Sequence, residues 1–112
     1  MSKRNNILLV EDMLEACKKI ERYTSEHSLE SFMNDEKTID AVVRNFEIIG
    51  EAANKIEDEF KSKYPKIEWN RLRGFRNRIV HEYFGIDNEI VWSICQNYLT
   101  KLKVRLEYIL VS

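Results

Sequence analysis

The sequence predicts an all-α fold, an antiparallel bundle of four and up to five helices, built as one domain over residues 1–112. Only 3 of the 112 residues are Gly and 1 is Pro, too few for the many turns of a β-sandwich or barrel. Hydrophobic residues make up 44% of the chain, which is enough for a core and argues against disorder. Over four long segments the apolar residues recur with a helical period, and the short connections between segments favour antiparallel neighbours.

The first predicted helix covers residues 4–27, where apolar side chains recur every three or four positions between Glu and Lys. Its apolar positions are Ile7, Val10, Leu14, Cys17 and Ile20. The composition of residues 27–34 is mixed, which is typical of a connection. Asp35, followed by Glu36 and Lys37, can then serve as the N-cap of the next helix.

Residues 36–60 form the clearest predicted helix, because eight apolar side chains fall within about a third of its circumference. They are Ile39, Val42, Val43, Phe46, Ile49, Ala53, Ile56 and Phe60. The dipeptide Tyr64-Pro65 prevents the helix from continuing, since the residue before a proline disfavours helical geometry.

A third helix is predicted over residues 69–84, with Gly85 as its C-terminal stop. Asp87 or Asn88 can cap a fourth helix over residues 89–110. The apolar stripe of that helix consists of Val91, Ile94, Tyr98, Leu102, Leu106 and Ile109. Lys101 and Arg105 fall in its C-terminal half, where the helix dipole favours cations.

The net charge of −1 hides a strongly basic segment. Residues 1–60 carry 8 basic and 14 acidic groups, whereas residues 61–78 carry 7 basic groups and one acidic group. Residues 79–112 are close to neutral, with a net charge of −1. The total therefore does not exclude a nucleic-acid partner, because the positive charge is concentrated in one stretch.

No apolar run approaches the ~20 residues of a membrane span. The N-terminal run at residues 7–10 is too short for a signal peptide, and Glu11 and Asp12 follow it directly. The cytosol is thus the simplest location, and no membrane partner is expected.

Five residues that often carry chemistry are given structural interpretations here. Cys17 and Cys95 fall at helical apolar spacing and are expected to be buried free thiols, without a redox or zinc-binding role. Trp69 and Trp92 are interpreted as packing residues, with base stacking as the alternative. His27 lies in a connection and is assigned no role.

The segment RGFRNRIVHEYFG, residues 73–85, holds the groups best suited to chemistry. His81 can transfer protons near neutral pH, because the ordinary pKa of histidine is ~6.5. Arg76 presents a permanently charged fork that fits phosphate oxygens. Together they are sufficient for cleaving RNA without a metal: histidine takes the 2′-hydroxyl proton or protonates the leaving oxygen, and arginine stabilises the charge at phosphorus. A solvated basic face with a hydrogen-bonded surface histidine is the alternative.

In a straight α-helix, the side chains of Arg76 and His81 point in different directions. Arg76 and Tyr83 are about 20° apart around the axis, and Asn77 and His81 about 40°, whereas Arg76 and His81 are about 140° apart. In one straight helix Arg76 and His81 therefore do not converge on one atom. Either the helix distorts between them, or the site forms where two copies meet, with Arg76 of one chain near His81 of the other.

Residues 76–83, Arg-Asn-Arg-Ile-Val-His-Glu-Tyr, resemble the R-x4-H-x-Y motif of HEPN-domain proteins, including the asparagine after the arginine. Nearly the whole chain is similar to the HepT subgroup, the toxins of MNT–HEPN toxin–antitoxin systems. The stretch 44–52, Trp69, and the sequence 83–87 followed by 90–92 carry this wider resemblance.

The resemblance implies an all-α bundle that forms a homodimer, with both motifs facing a shared cleft. It implies a metal-independent endoribonuclease, without cofactor, that acts on RNA as the toxin of a type II- or type VII-like system. By position, Arg76 and His81 are catalytic and Asn77 orients the site. Tyr83 matches the tyrosine that, in relatives, receives AMP from a partner minimal nucleotidyltransferase. This modification silences the toxin.

Four further residues are secondary candidates. Arg73 and Arg78 are candidates for holding the RNA backbone. Arg44 and Glu51 share a face of the second predicted helix, either as solvated surface or as salt-bridged support for the catalytic helix.

Two other classes of function compete with the nuclease. One is a non-catalytic helical partner of a nucleotidyltransferase that binds nucleotide or nucleic acid through its basic cleft. The other is a purely structural helical dimer. Only the nuclease requires His81 to transfer protons.

Overall fold

Four long helical segments, connected by short links, carry the fold. We analysed a computed structural model, which describes the backbone of residues 3–81 and 88–112 and the side chains of residues 5–75 and 88–112. Seven α-helices and no strand occur in that part of the chain, which confirms the all-α prediction. They are α1 (Lys3–Thr24), α2 (Leu29–Met33), α3 (Glu36–Lys55), α4 (Asp58–Ser62), α5 (Trp69–His81), α6 (Asn88–Asn97) and α7 (Leu99–Val111).

α1 runs antiparallel to both α3 and α7. The side-chain oxygen of Asn6 accepts a hydrogen bond from the Glu57 backbone N–H at 3.3 Å, which joins the start of α1 to the end of α3. At the other end of α1, Glu21 Oε1 lies 2.9 Å from Lys103 Nζ, near the start of α7. The predicted antiparallel arrangement therefore holds for these three helices.

The predicted apolar stripes form one continuous core. Fully buried members include Val10, Cys17 and Ile20 of α1, Val42, Phe46 and Ile49 of α3, and Leu102, Leu106 and Ile109 of α7. Both cysteines are free and buried, as predicted. Burial raises the pKa of the Cys17 and Cys95 thiols to about 12, because the thiolate would lose its hydration.

The first connection begins earlier and is more ordered than the sequence predicts. α1 ends at Thr24, before the predicted end at residue 27, and the Thr24 hydroxyl donates to the Ile20 carbonyl at 2.8 Å. Residues 27–34 contain the short helix α2 and are not a plain connection. Ser28 and Ser31 cap each other's backbone N–H groups, and Phe32 buries its ring completely.

The second predicted helix is wrong at its end. It breaks after Lys55, Ile56 and Glu57 are extended, and α4 begins at Asp58. The Asn6 amide oxygen accepts the Glu57 N–H in place of a helical carbonyl, which stabilises the break. Ile56 and Phe60 both stay buried across it.

The fourth predicted helix is two helices that meet at Tyr98, so its prediction as one piece is also wrong. The Tyr98 ring, buried against the Phe75 ring at 6.0 Å, fixes the junction. Because α7 begins at Leu99, Lys101 lies in its first turn, and the interpretation of Lys101 as a C-terminal dipole partner is wrong. Residues 82–84, the Gly85 stop and the Asp87 cap lie outside the described residues, and Asn88 is the first residue of α6 and not its cap.

Candidate functional site

α5 carries the candidate catalytic residues, and aromatic packing fixes its position. Trp69 begins the helix and is buried, and its Nε1 donates to the Tyr64 carbonyl at 3.2 Å. Leu72 is fully buried one turn on. Phe75 fixes the rotation of α5 about its own axis, because its ring packs edge-on against the Phe46 ring of α3, with 5.5 Å between the ring centroids. The segment that follows Phe75 therefore begins at a residue whose position is fixed by packing against α3.

Arg76, Asn77, Arg78 and His81 follow Phe75 directly, in the last half of α5. Their side chains, and the whole of Tyr83, lie outside the described residues. The backbone from position 76 to position 81 is regular α-helix. Distortion of the helix between the two candidate catalytic positions is therefore not observed, and about 140° still separates them around the axis.

Positive charge accumulates beside the start of α5. Arg73 is exposed, and its charge contributes to the pKa of Lys61 in α4. Burial, together with the Arg73 charge and against the opposing effect of Asp58, lowers the pKa of Lys61 below its ordinary value. Arg73 and Lys61 therefore both add to the positive charge near the start of α5.

Arg71, one of the seven basic residues of the segment 61–78, links α5 to the α6–α7 junction. Its guanidinium carbon lies 4.2 Å from the centroid of the Tyr98 ring, a cation–π contact between α5 and the α6–α7 junction. Nη1 of the same side chain is 3.1 Å from Glu68 Oε2. No sequence spacing signals this contact, because residues 71 and 98 are far apart in the chain.

A groove of about 420 Å³ lies between α5 and α6. Its lining includes Arg71, Gly74, Ile90 and Ser93. A Cβ built on Gly74 would meet no atom within 4 Å, so this side of α5 is open. Position 81 is seven residues further along α5 and about 20° away around the axis, so it lies on the same face of the helix as Gly74.

The secondary candidates are placed as follows. Arg44 is 63% exposed and lies 3.6 Å from Glu47 on its own helix, which favours the solvated-surface interpretation for Arg44; Glu51 is half-buried. Trp69 is buried and Trp92 packs on Phe32 at 5.1 Å, so both act in packing, as predicted.

His27 closes the corner between α1 and α3. Nδ1 of its ring is 3.0 Å from Ser31 Oγ, and Nε2 is 3.6 Å from Asp35 Oδ2. Within the described ranges, no three His, Cys, Asp or Glu side chains are grouped as metal ligands. Nor does any helix in those ranges have the length and apolar character to span a bilayer.

Comparison with known proteins agrees with the motif. A family model described as "Ribonuclease HepT-like" matches residues 13–109. A protein from Thermococcus cleftensis named "Probable ribonuclease HepT" is 38% identical over 105 residues, which cover 94% of this chain and 96% of that protein. A Methanocaldococcus jannaschii protein named "Putative RNase" is 35% identical over 109 residues, 97% of this chain and 100% of that protein. No solved structure matches the chain.

Proposed function

Since this chain belongs to the ribonuclease HepT-like family, we propose that it is a metal-independent endoribonuclease, the toxin of a cytoplasmic toxin–antitoxin pair. The observation that carries the proposal is the family match over residues 13–109, which spans α5 and the motif at residues 76–83.

The proposed reaction is an internal displacement at an RNA phosphate. A neutral His81 imidazole takes the 2′-hydroxyl proton, and the 2′-oxygen bonds to phosphorus as the bond to the 5′-oxygen breaks. The imidazolium then returns a proton to that 5′-oxygen, leaving a 2′,3′-cyclic phosphate and a 5′-hydroxyl. Arg76 stabilises the charge on the phosphoryl oxygens. Asn77, one helical turn before His81, holds the histidine in orientation, and Arg73 and Arg78 hold the flanking backbone.

The site is proposed to be shared between two copies of the chain. The unbroken helix from position 76 to position 81 supports this, because it keeps the two groups on different sides of one α5. In a homodimer with two-fold symmetry, Arg76 of one chain and His81 of the other can approach the same phosphate, and each dimer has two such sites.

The purified chain is expected to cleave single-stranded RNA at neutral pH in excess EDTA, because no proposed step uses a metal ion. Denaturing gels of end-labelled RNA measure the cleavage, and mass spectrometry of the fragments identifies the cyclic phosphate. RNA that is bound but remains intact would contradict the nuclease and support the non-catalytic partner of a nucleotidyltransferase.

Silencing is proposed to act through Tyr83, by transfer of AMP from a partner minimal nucleotidyltransferase. In the helix that the sequence predicts over residues 69–84, Tyr83 and Arg76 are about 20° apart around the axis, so anionic phosphates on Tyr83 would compete with RNA for the same guanidinium.

Co-expression with the adjacent nucleotidyltransferase is expected to add one or more AMP-sized increments to the intact mass. Tyr83→Phe is expected to abolish them, because it removes the accepting hydroxyl. Tyr108→Phe is the matched control, since Tyr108 is 64% exposed and its loss should leave the increments in place. Increments that survive Tyr83→Phe would show that another residue is modified.

A further inference from the structure

The groove between α5 and α6 does not end at Arg71. A second cavity of about 310 Å³ shares Arg71, Ser93 and Ile94 with it and extends to Lys101 and Arg105 of α7. A third cavity of about 510 Å³ shares Arg105 and extends to Tyr108 and the loop before α5. We call the three linked cavities the α7 groove.

The α7 groove is strongly basic. Its lining carries five cations and one carboxylate: Arg71, Lys101, Arg105, Lys63 and Lys66 against Glu68. Glu68 is already paired with Arg71 at 3.1 Å, so it does not offset the other four cations. The cations come from the loop before α5, from α5 and from α7, and they lie on both walls. A polyanion that follows the groove would therefore meet positive charge over the part lined by α7 and by the loop before α5.

Aromatic side chains accompany these cations. Tyr108 is 64% exposed at the far end of the groove, and Tyr64 is half-buried in the same cavity. Exposed tyrosine provides a flat face on which a nucleobase can stack, and cations beside it can hold the adjoining phosphates. Within α7, Lys101 and Tyr108 are separated by a helical rise of about 10 Å, and the groove continues beyond Lys101 along α6 to Ile90.

We propose that the α7 groove binds single-stranded RNA and leads it toward the His81 turn of α5; this inference rests on the proposed ribonuclease function. The cations on both walls fit a phosphate backbone, and Tyr108 fits an unpaired base. An acidic protein surface is the competing occupant. The groove favours RNA because an exposed stacking face beside cations is the combination that unpaired nucleotides need.

Binding of a short fluorescein-labelled RNA with methylated 2′-hydroxyls tests this, because that RNA cannot be cleaved by the proposed reaction. Tyr108→Ala is expected to weaken binding by roughly 5- to 150-fold, the cost of one lost stack, and Tyr108→Phe to bind as wild type. Lys66→Glu with Lys101→Glu is expected to weaken binding further and to reduce the slope of log affinity against log salt by about 1.4. Both lysines are exposed, so circular dichroism and Tm should not change.

Lys37→Glu is the charge-matched control, since Lys37 is exposed and lies outside the three cavities. It is expected to bind RNA as wild type. If the groove variants also bind as wild type while wild-type chain cleaves unmodified RNA, the groove inference is wrong and the nuclease stands. If the groove variants bind RNA as wild type but no longer bind the purified nucleotidyltransferase, the groove is a protein-binding surface and the inference is wrong. If the wild-type chain neither binds nor cleaves RNA, both the groove and the proposed function fail.

Discussion

His81→Ala is expected to lower the rate of RNA cleavage by about 10²–10⁴-fold, the usual contribution of one general acid–base group. Position 81 is the last described residue of α5, beyond the buried Leu72 and Phe75 that anchor the helix. The substitution should therefore leave the helical content unchanged. Initial rates on an end-labelled RNA, with circular dichroism of the same samples, measure both quantities. Cells that express the variant in place of the wild type should also be free of any growth arrest that the wild type causes.

Two further experiments test whether the effect of His81→Ala is specific to the site and whether the site is shared between two chains. Arg44→Ala removes an exposed arginine that pairs with Glu47 on α3, and the cleavage rate should not change. Mixing inactive His81→Ala chains with inactive Arg76→Ala chains should restore about a quarter of the wild-type rate, because half of the dimers then hold one intact shared site. A wild-type rate in His81→Ala would exclude the proposed proton transfer. A mixture that stays inactive would exclude the two-chain site.

Phe46→Ala is expected to destabilise the fold by about 3–5 kcal/mol, which is a large part of the total for a domain of this size. Phe46 is 1% exposed, and its ring meets Phe75 edge-on at 5.5 Å. Truncation leaves a cavity between α3 and α5, so the helix that carries the motif loses its support. Urea denaturation followed by circular dichroism measures the change, and RNA cleavage should be lost at temperatures where the variant unfolds.

Phe46→Leu should cost less than half as much, because most of the buried volume remains. Leu8→Ala provides the exposed control, since Leu8 is 48% exposed and its truncation should cost under about 1 kcal/mol. A Phe46→Ala variant whose midpoint in urea matches wild type would mean that α3 and α5 are held together by other contacts.

The helices and the core follow from the sequence because hydrophobic period is a local property. The apolar stripes predicted for α1 and α3 include most of the hydrophobic residues that those two helices bury. The breaks were not predictable, since neither contains Gly or Pro. The break at Glu57 depends on Asn6, and the junction at Tyr98 depends on Phe75 and Arg71, all distant in sequence. The helix α2 was missed because five residues are too few to show a period.

For the candidate site, too, the sequence predicts the local features and misses those that depend on distant residues. Arg76 and His81 could be identified from the sequence because their motif is contiguous. The α7 groove could not, because its walls come from residues 63–75 and 90–108, which are distant in sequence. Lys101 was predicted to lie in the C-terminal half of one long helix, whereas the structure places it in the first turn of α7, on the wall of a basic groove.

The two buried thiols give the chain a useful chemical property. Because burial raises the pKa of Cys17 and Cys95 to about 12, both remain protonated thiols at neutral pH. Their burial also denies electrophiles access to sulfur. A cysteine introduced at an exposed position such as Lys37 would thus be the one readily alkylated thiol, and a single dye or cross-linker could be attached without first removing either native cysteine.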